Sequence, residues 1–333
     1  MKYLLALLAL ALPIAQAAEV NVYSARKEAL IKPLFERFTA ASGIDVNMVT
    51  GKADALIKRM ELEGKNSPAD LLITVDVGRL YRAQQAGVLQ PVQSALLTAA
   101  VPANYRDPQG YWYGLSLRSR VIVYDRARVS PAELHDYEDL ADSKWHKQIC
   151  VRSSSNIYNQ SLVASLIAHN GPGQARAWAD GLVSNFARSP KGGDRDQIKA
   201  VAAGQCKLAL VNTYYLAGML SSKIKSEAAV AAKVDLFWPN QTNRGTHINI
   251  SGASVTASAK NREAAIRLLE FLLSDASQKW YADTNHEFPV KAGIGSSAIL
   301  NRWGEFKADT LPLAALGEGN AAAVKIMDRA GWK

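Results

Sequence analysis

Residues 71–75, Leu-Leu-Ile-Thr-Val, form a continuous apolar run behind Pro68-Ala69-Asp70, and a helical pattern follows over residues 78–86. A run so short and unbroken predicts a strand buried on both faces, as in a parallel sheet covered by helices. The flanking stretches obey the same rule. Residues 19–23 predict a strand. Leu30, Ile31, Leu34, Phe35 and Phe38 then recur at helical spacing, with a kink expected at Pro33. Gly43 ends that helix, residues 44–49 predict the next strand, and residues 53–63 form a second amphipathic helix stopped by Gly64. Strands alternating with helices of this length make repeated βαβ units and an α/β fold.

The second half repeats the theme. Strands are predicted at residues 120–124, around Cys150, around Cys206, at 234–238 and at 247–258, the last with glycine irregularity. Helices are predicted at 158–169, 175–183, 195–203, from Thr213 onward, at 261–273 and at 276–282, with a turn at Gly171-Pro172-Gly173. A chain of 333 residues exceeds what one compact core usually holds, so two lobes are expected. Strands crossing near residues 115–120 and 240–246 would join them. A ligand would sit between the lobes, at the carboxyl ends of strands and the amino ends of helices.

The first residues bear on compartment. Lys2, an apolar run over 4–14 and Ala15-Gln16-Ala17 have the layout of a secretory signal peptide cleaved before Ala18. The run is shorter than the ~20 residues a bilayer-spanning helix needs. Cys150 and Cys206 are the two cysteines, and in an exported chain an even count suggests one disulfide. If their strands are neighbours, closing that loop would contribute ~4 kcal/mol. The formal net charge of +9 is scattered, with no basic run and no interleaved aromatics, which argues against nucleic-acid binding. A mild positive field could still steer anionic chelates toward a cleft.

One coincidence of spacing carries chemistry. Tyr158 lies eight residues after Cys150, and Tyr214 lies eight after Cys206, with Tyr215 next. If the cysteine strands pair side by side, all three tyrosines emerge at one edge of one lobe, at strand-to-helix junctions facing the cleft. A phenol has a pKa of ~10, but a highly charged cation holds phenolate at neutral pH. Phenolate is an anionic oxygen donor matched to Fe(III) rather than to soft metals. A small anion such as carbonate, or water, could complete six-fold coordination. Arg26 offers a planar donor fork for it, and Ser153-Ser154-Ser155-Asn156 lies at a helix amino end. His135, His146, His169, His247 and His286 show no metal-ligand spacing, and the seven tryptophans read as packing. No nucleophile set, phosphate loop or carboxylate pair stands out, so no enzyme is expected.

These residues carry a resemblance. Val22-Tyr23-Ser24-Ala25-Arg26, Ser67-Pro68-Ala69-Asp70, Val75-Asp76-Val77-Gly78-Arg79-Leu80, residues 152–160, Asn212-Thr213-Tyr214-Tyr215 and His247-Ile248-Asn249-Ile250-Ser251-Gly252 resemble the bacterial periplasmic ferric-ion-binding proteins of ABC iron transporters, the bacterial transferrins. The resemblance implies a two-lobed type II periplasmic binding protein, each lobe a mixed sheet flanked by helices, with a hinge of crossing strands. It implies a signal peptide at 1–17, a first lobe of 18–117 plus 243–292, and a second of 118–242 plus 293–333. It implies a monomer that binds ferric ion or a ferric chelate in the periplasm and serves an inner-membrane ABC permease. The paired tyrosine is the family's direct iron ligand, which carries to Tyr214 and Tyr215. In one branch Tyr158 would be a third ligand, with an anion on Arg26 and Asn156. The histidine or glutamate that some relatives contribute from the first lobe is absent: Arg26-Lys27-Glu28 and Val75 stand in those places. A receptor of the same fold for an organic or oxoanion solute (phosphonate, polyamine or thiamine) is the alternative.

Overall fold

The computed structural model describes residues 18–333; the signal-peptide reading of residues 1–17 lies outside the described residues. Nine strands form one curled sheet: β1 (Glu19–Ser24), β2 (Asp45–Thr50), β3 (Leu71–Val75), β4 (Tyr113–Asp125), β5 (Ile149–Cys150), β6 (Leu208–Asn212), β7 (Val234–Phe237), β8 (Ile248–Val255) and β9 (Phe288–Pro289). Their order is β2-β1-β3-β8-β4-β6-β5, with β7 and β9 also on β4.

Long β4 explains how one sheet serves two lobes. Its first half, from Tyr113 to Ser119, runs antiparallel to β8, while Arg120 to Asp125 pairs with β6 and β7. The apolar residues divide accordingly. In the first lobe Val22, Leu34, Phe38, Leu71, Ile73 and Leu269 form one core. In the second the sheet is covered on both sides. Ile122, Leu208 and Leu210 face Leu162, Trp178 and Trp332, and Val121, Val123 and Val211 face Leu216 and Met219. Successive side chains of β4 and β6 thus enter opposite cores, as the two-residue period of a strand requires.

Several expectations are corrected. Pro33 does not kink its helix; it lies in the first turn of Lys32–Ser42, where its missing N–H is one that a helix leaves unpaired anyway. The Leu71–Val75 strand is buried as expected, but its sheet is mixed: β3 is parallel to β1 and antiparallel to β8. The Gly171-Pro172-Gly173 turn is a break inside Ile157–Ser184, with Gly171 at φ +78° between two helical stretches. Residues 240–246 are a turn rather than a crossing strand; Asn240 has φ +62°, and the return crossing is made by β8. Two tail helices, Ala314–Glu318 and Asn320–Arg329, have no counterpart among the expected elements. Trp332 is 1% exposed, packs edge-on against Phe186 at 5.5 Å, and donates its indole N–H to the Arg152 carbonyl at 2.9 Å. Among the described residues no helix is long and apolar enough to cross a membrane.

Candidate functional site

The cysteine spacing converts into geometry through one pairing. β5 runs parallel to β6, with Cys150 opposite Ala209, and Cys150 and Cys206 are joined by a disulfide with Cα atoms 5.9 Å apart. The chain leaving β5 enters Ile157–Ser184 at Tyr158; the chain leaving β6 enters Thr213–Leu220 at Tyr214 and Tyr215. The three side chains meet. The phenol oxygens of Tyr214 and Tyr158 are 3.3 Å apart, and the rings of Tyr214 and Tyr215 lie 4.3 Å centroid to centroid. All three line a cleft of about 430 Å³, together with Arg26, Lys27, Val75, Arg195 and residues 284–287. The cleft therefore has the tyrosines on one side and first-lobe residues on the other.

Tyr214 and Tyr215 are held neutral. Burial, and then the neighbouring Tyr158 and Tyr215, push Tyr214 well above the ordinary phenol value. Burial and Tyr158 also raise Tyr215. The groups nearby are cationic. Guanidinium carbons of Arg118, Arg152 and Arg120 lie 5.3, 5.6 and 6.0 Å from the Tyr158 ring centroid. Asp194 pairs with both Arg120 and Arg152, and Asp76 pairs with Arg118. Asn212 donates its amide N–H to the Tyr214 oxygen at 3.3 Å.

Arg26 faces the tyrosines from the first lobe and is 5% exposed. Its Nη2 donates to Glu287 at 2.8 Å, and Ser116 donates to the same carboxylate oxygen at 2.6 Å. Arg26 Nε and Nη1 are buried without a partner. Donors buried without partners are uncommon and call for an acceptor. Asn156 is the residue before Ile157–Ser184; its side chain makes no cap bond, and its Oδ1 is buried without a partner. Asn156 is not among the residues lining the 430 Å³ cleft. Glu28 is exposed and paired with Lys32 at 3.1 Å, and the Asp76 carboxylate is occupied by protein donors.

At the mouth, His286 bridges the lobes. Ser221 donates its hydroxyl to the Ala217 carbonyl at 2.9 Å, so at 2.8 Å from His286 Nε2 it acts as acceptor, and Nε2 carries the proton. Burial lowers the His286 pKa and keeps the ring neutral. His247, buried behind Tyr158, is pushed down to about 3 by burial and by Arg118 and Arg120.

The sequence reading missed this charged surround. Arg118 and Arg120 sit two apart inside an otherwise buried strand, and that pattern was the available signal. Nothing local marks Glu287 or Asp194, because their partners are 261 and 74 residues away.

Residues 66–303 match the family model described as bacterial extracellular solute-binding protein. The chain belongs to this family. It is 49% identical over 315 residues to "Iron uptake protein A1" of Synechocystis, covering 95% of this chain and 88% of that one. A solved Trichodesmium structure in complex with iron and citrate ligands is 50% identical with a TM-score of 0.92, covering 95% of this chain and 100% of that one. The ferric binding protein from Campylobacter jejuni is 41% identical with a TM-score of 0.91, covering 94% and 100%. These neighbours share the two-lobed type II binding-protein fold, and the names describe binding and uptake proteins rather than enzymes.

Proposed function

We propose that this protein is the periplasmic receptor of an ABC iron-uptake system. It takes Fe(III) between its lobes on the phenolates of Tyr158, Tyr214 and Tyr215, with a small anion on Arg26 and Asn156. It then delivers the iron to an inner-membrane permease. The assigned lobes are 18–117 plus 243–292 and 118–242 plus 293–333.

The observation that carries this reading is the convergence of three phenols from two chain segments at one cleft, with two of the oxygens 3.3 Å apart. Among the described residues no group of three His, Cys, Asp or Glu could hold a metal, and both cysteines are in the disulfide. Three phenolates cancel the charge of a trivalent ion. Phenolate oxygen suits a hard cation, and the guanidinium groups of Arg118, Arg120 and Arg152 stand around the Tyr158 ring. The unpartnered Nε and Nη1 of Arg26 support the anion, since buried donors call for an acceptor. Closure over the metal is of the hinge type, with binding shifting an open–closed equilibrium.

Titration with ferric citrate tests the reading. A visible iron–phenolate charge-transfer band is expected, and it should vanish in Tyr214→Phe/Tyr215→Phe while the fold persists. A double variant with full colour and affinity would remove the tyrosines from the ligand set. A protein that binds an organic solute and never colours would favour the alternative receptor.

A further inference from the structure

Asp76 occupies a backbone position that suits glycine. It joins β3 to the helix Val77–Gln85 at φ +83° and ψ 123°, where a side chain is strained, and it is fully buried. A strained, buried acid persists where its carboxylate is used, and this one is used four times. Oδ1 accepts from the Gly78 N–H at 3.0 Å and from the Ser161 hydroxyl at 2.7 Å. Oδ2 accepts from Asn249 Nδ2 at 3.0 Å and Arg118 Nη2 at 3.4 Å.

Two of those partners converge on one phenol. Ser161 lies one helical turn beyond Tyr158 on the same helix, and the Arg118 guanidinium lies 5.3 Å from the Tyr158 ring centroid. Asp76, Arg118, His247 and Tyr158 all line a void of about 10 Å³ behind the ring. Such a space holds one water at most, so the ring has little room to shift backward.

From this geometry we infer that Asp76 is a positioning residue for Tyr158, an inference that rests on reading Tyr158 as an iron ligand. One carboxylate grips both the helix that carries the phenol and the cation that covers its ring. The first lobe thereby sets where a second-lobe donor stands without giving a donor itself.

Glycine tolerates the backbone of residue 76, so Asp76→Gly removes the carboxylate without adding strain. The expected result is a charge-transfer band moved and weakened toward that of Tyr158→Phe, with affinity reduced about 10- to 100-fold, the usual effect of losing a partner that orients a ligand. The double variant Asp76→Gly/Tyr158→Phe should bind no more weakly than Tyr158→Phe alone. Asp76→Asn keeps an acceptor for Ser161 but turns N–H toward Arg118, so an intermediate band is expected even if the glycine variant folds poorly. Thermal unfolding of the metal-free protein reports on folding separately. A wild-type band and affinity in either Asp76 variant, or fully additive losses in the double variant, overturns the inference and leaves the ligand reading standing. An unchanged band in Tyr158→Phe removes Tyr158 from the ligand set, and the inference with it.

Discussion

The two lobes approach the same cleft with different chemistry. The second brings three phenols from two helix starts tied together by a disulfide, backed by Arg118, Arg120 and Arg152. The first brings the Arg26–Glu287–Ser116 set and the His286 contact at the mouth. In the proposed function the second lobe holds the cation alone, and the first supplies charge balance and closure. Where donors are shared between lobes, opening dismantles the site. Here opening would leave the phenols on one lobe and part the Asp76 contacts behind Tyr158.

Removing donors should have the largest effect. Tyr214→Phe/Tyr215→Phe is expected to lose about a thousandfold or more in ferric affinity, at ~1.4 kcal/mol per tenfold, measured by competition with a chelator. Loss of similar size from any single first-lobe substitution would erase the contrast between the lobes.

Acidification comes next. Each phenol that binds as phenolate releases a proton, so affinity should fall as pH falls, by up to about tenfold per pH unit for each phenol. The raised values of Tyr214 and Tyr215 keep both protonated through the neutral range. For metal-free folding the sign is different. A phenol whose folded pKa is raised gives stability that is fully present below the ordinary value of ~10 and lost as pH rises above it. Metal-free stability should therefore not track Tyr214 or Tyr215 at neutral pH, whereas iron affinity should. Chelator competition and thermal melts across pH separate the two.

Arg26→Ala is expected to weaken iron binding about 10- to 100-fold, with the charge-transfer band retained. It also strands buried Glu287, which should cost about 3–5 kcal/mol of stability in denaturant melts. A lost band would mean that Arg26 acts on the donors themselves. The smallest effect is expected from His286→Ala, which removes one interlobe hydrogen bond. A few-fold faster iron release to a chelator is expected, in line with the ~1 kcal/mol net value of such a bond. An unchanged rate would place closure in other contacts.

Much of this was legible in sequence because the signals were local. The strand Leu71–Val75 and the helix Ala53–Glu63 were read to the residue, since an unbroken apolar run and a capped amphipathic pattern each depend on neighbours in the chain. The tyrosine cluster was legible through equal eight-residue offsets from two cysteines. Pro33 misled because proline ends or starts a helix according to where the first turn falls. The antiparallel partner of β3 comes from a strand about 180 residues away, which no local period encodes. The role of Asp76 is not legible in the sequence; only its backbone angle and three distant donors, Arg118, Ser161 and Asn249, reveal how its carboxylate is occupied.

Strand β4 limits how such a receptor could be taken apart. Its thirteen residues give one half to each lobe's pairing, and the tail helix Asn320–Arg329 packs back on the core of the phenol-bearing lobe. No single cut in the gene releases a half with all its hydrogen-bonded neighbours. Transplanting the phenol-bearing half into another protein would need two breakpoints and a resealed sheet edge. Recombination should therefore exchange these receptors whole, and diversification should proceed by changing side chains along an intact hinge.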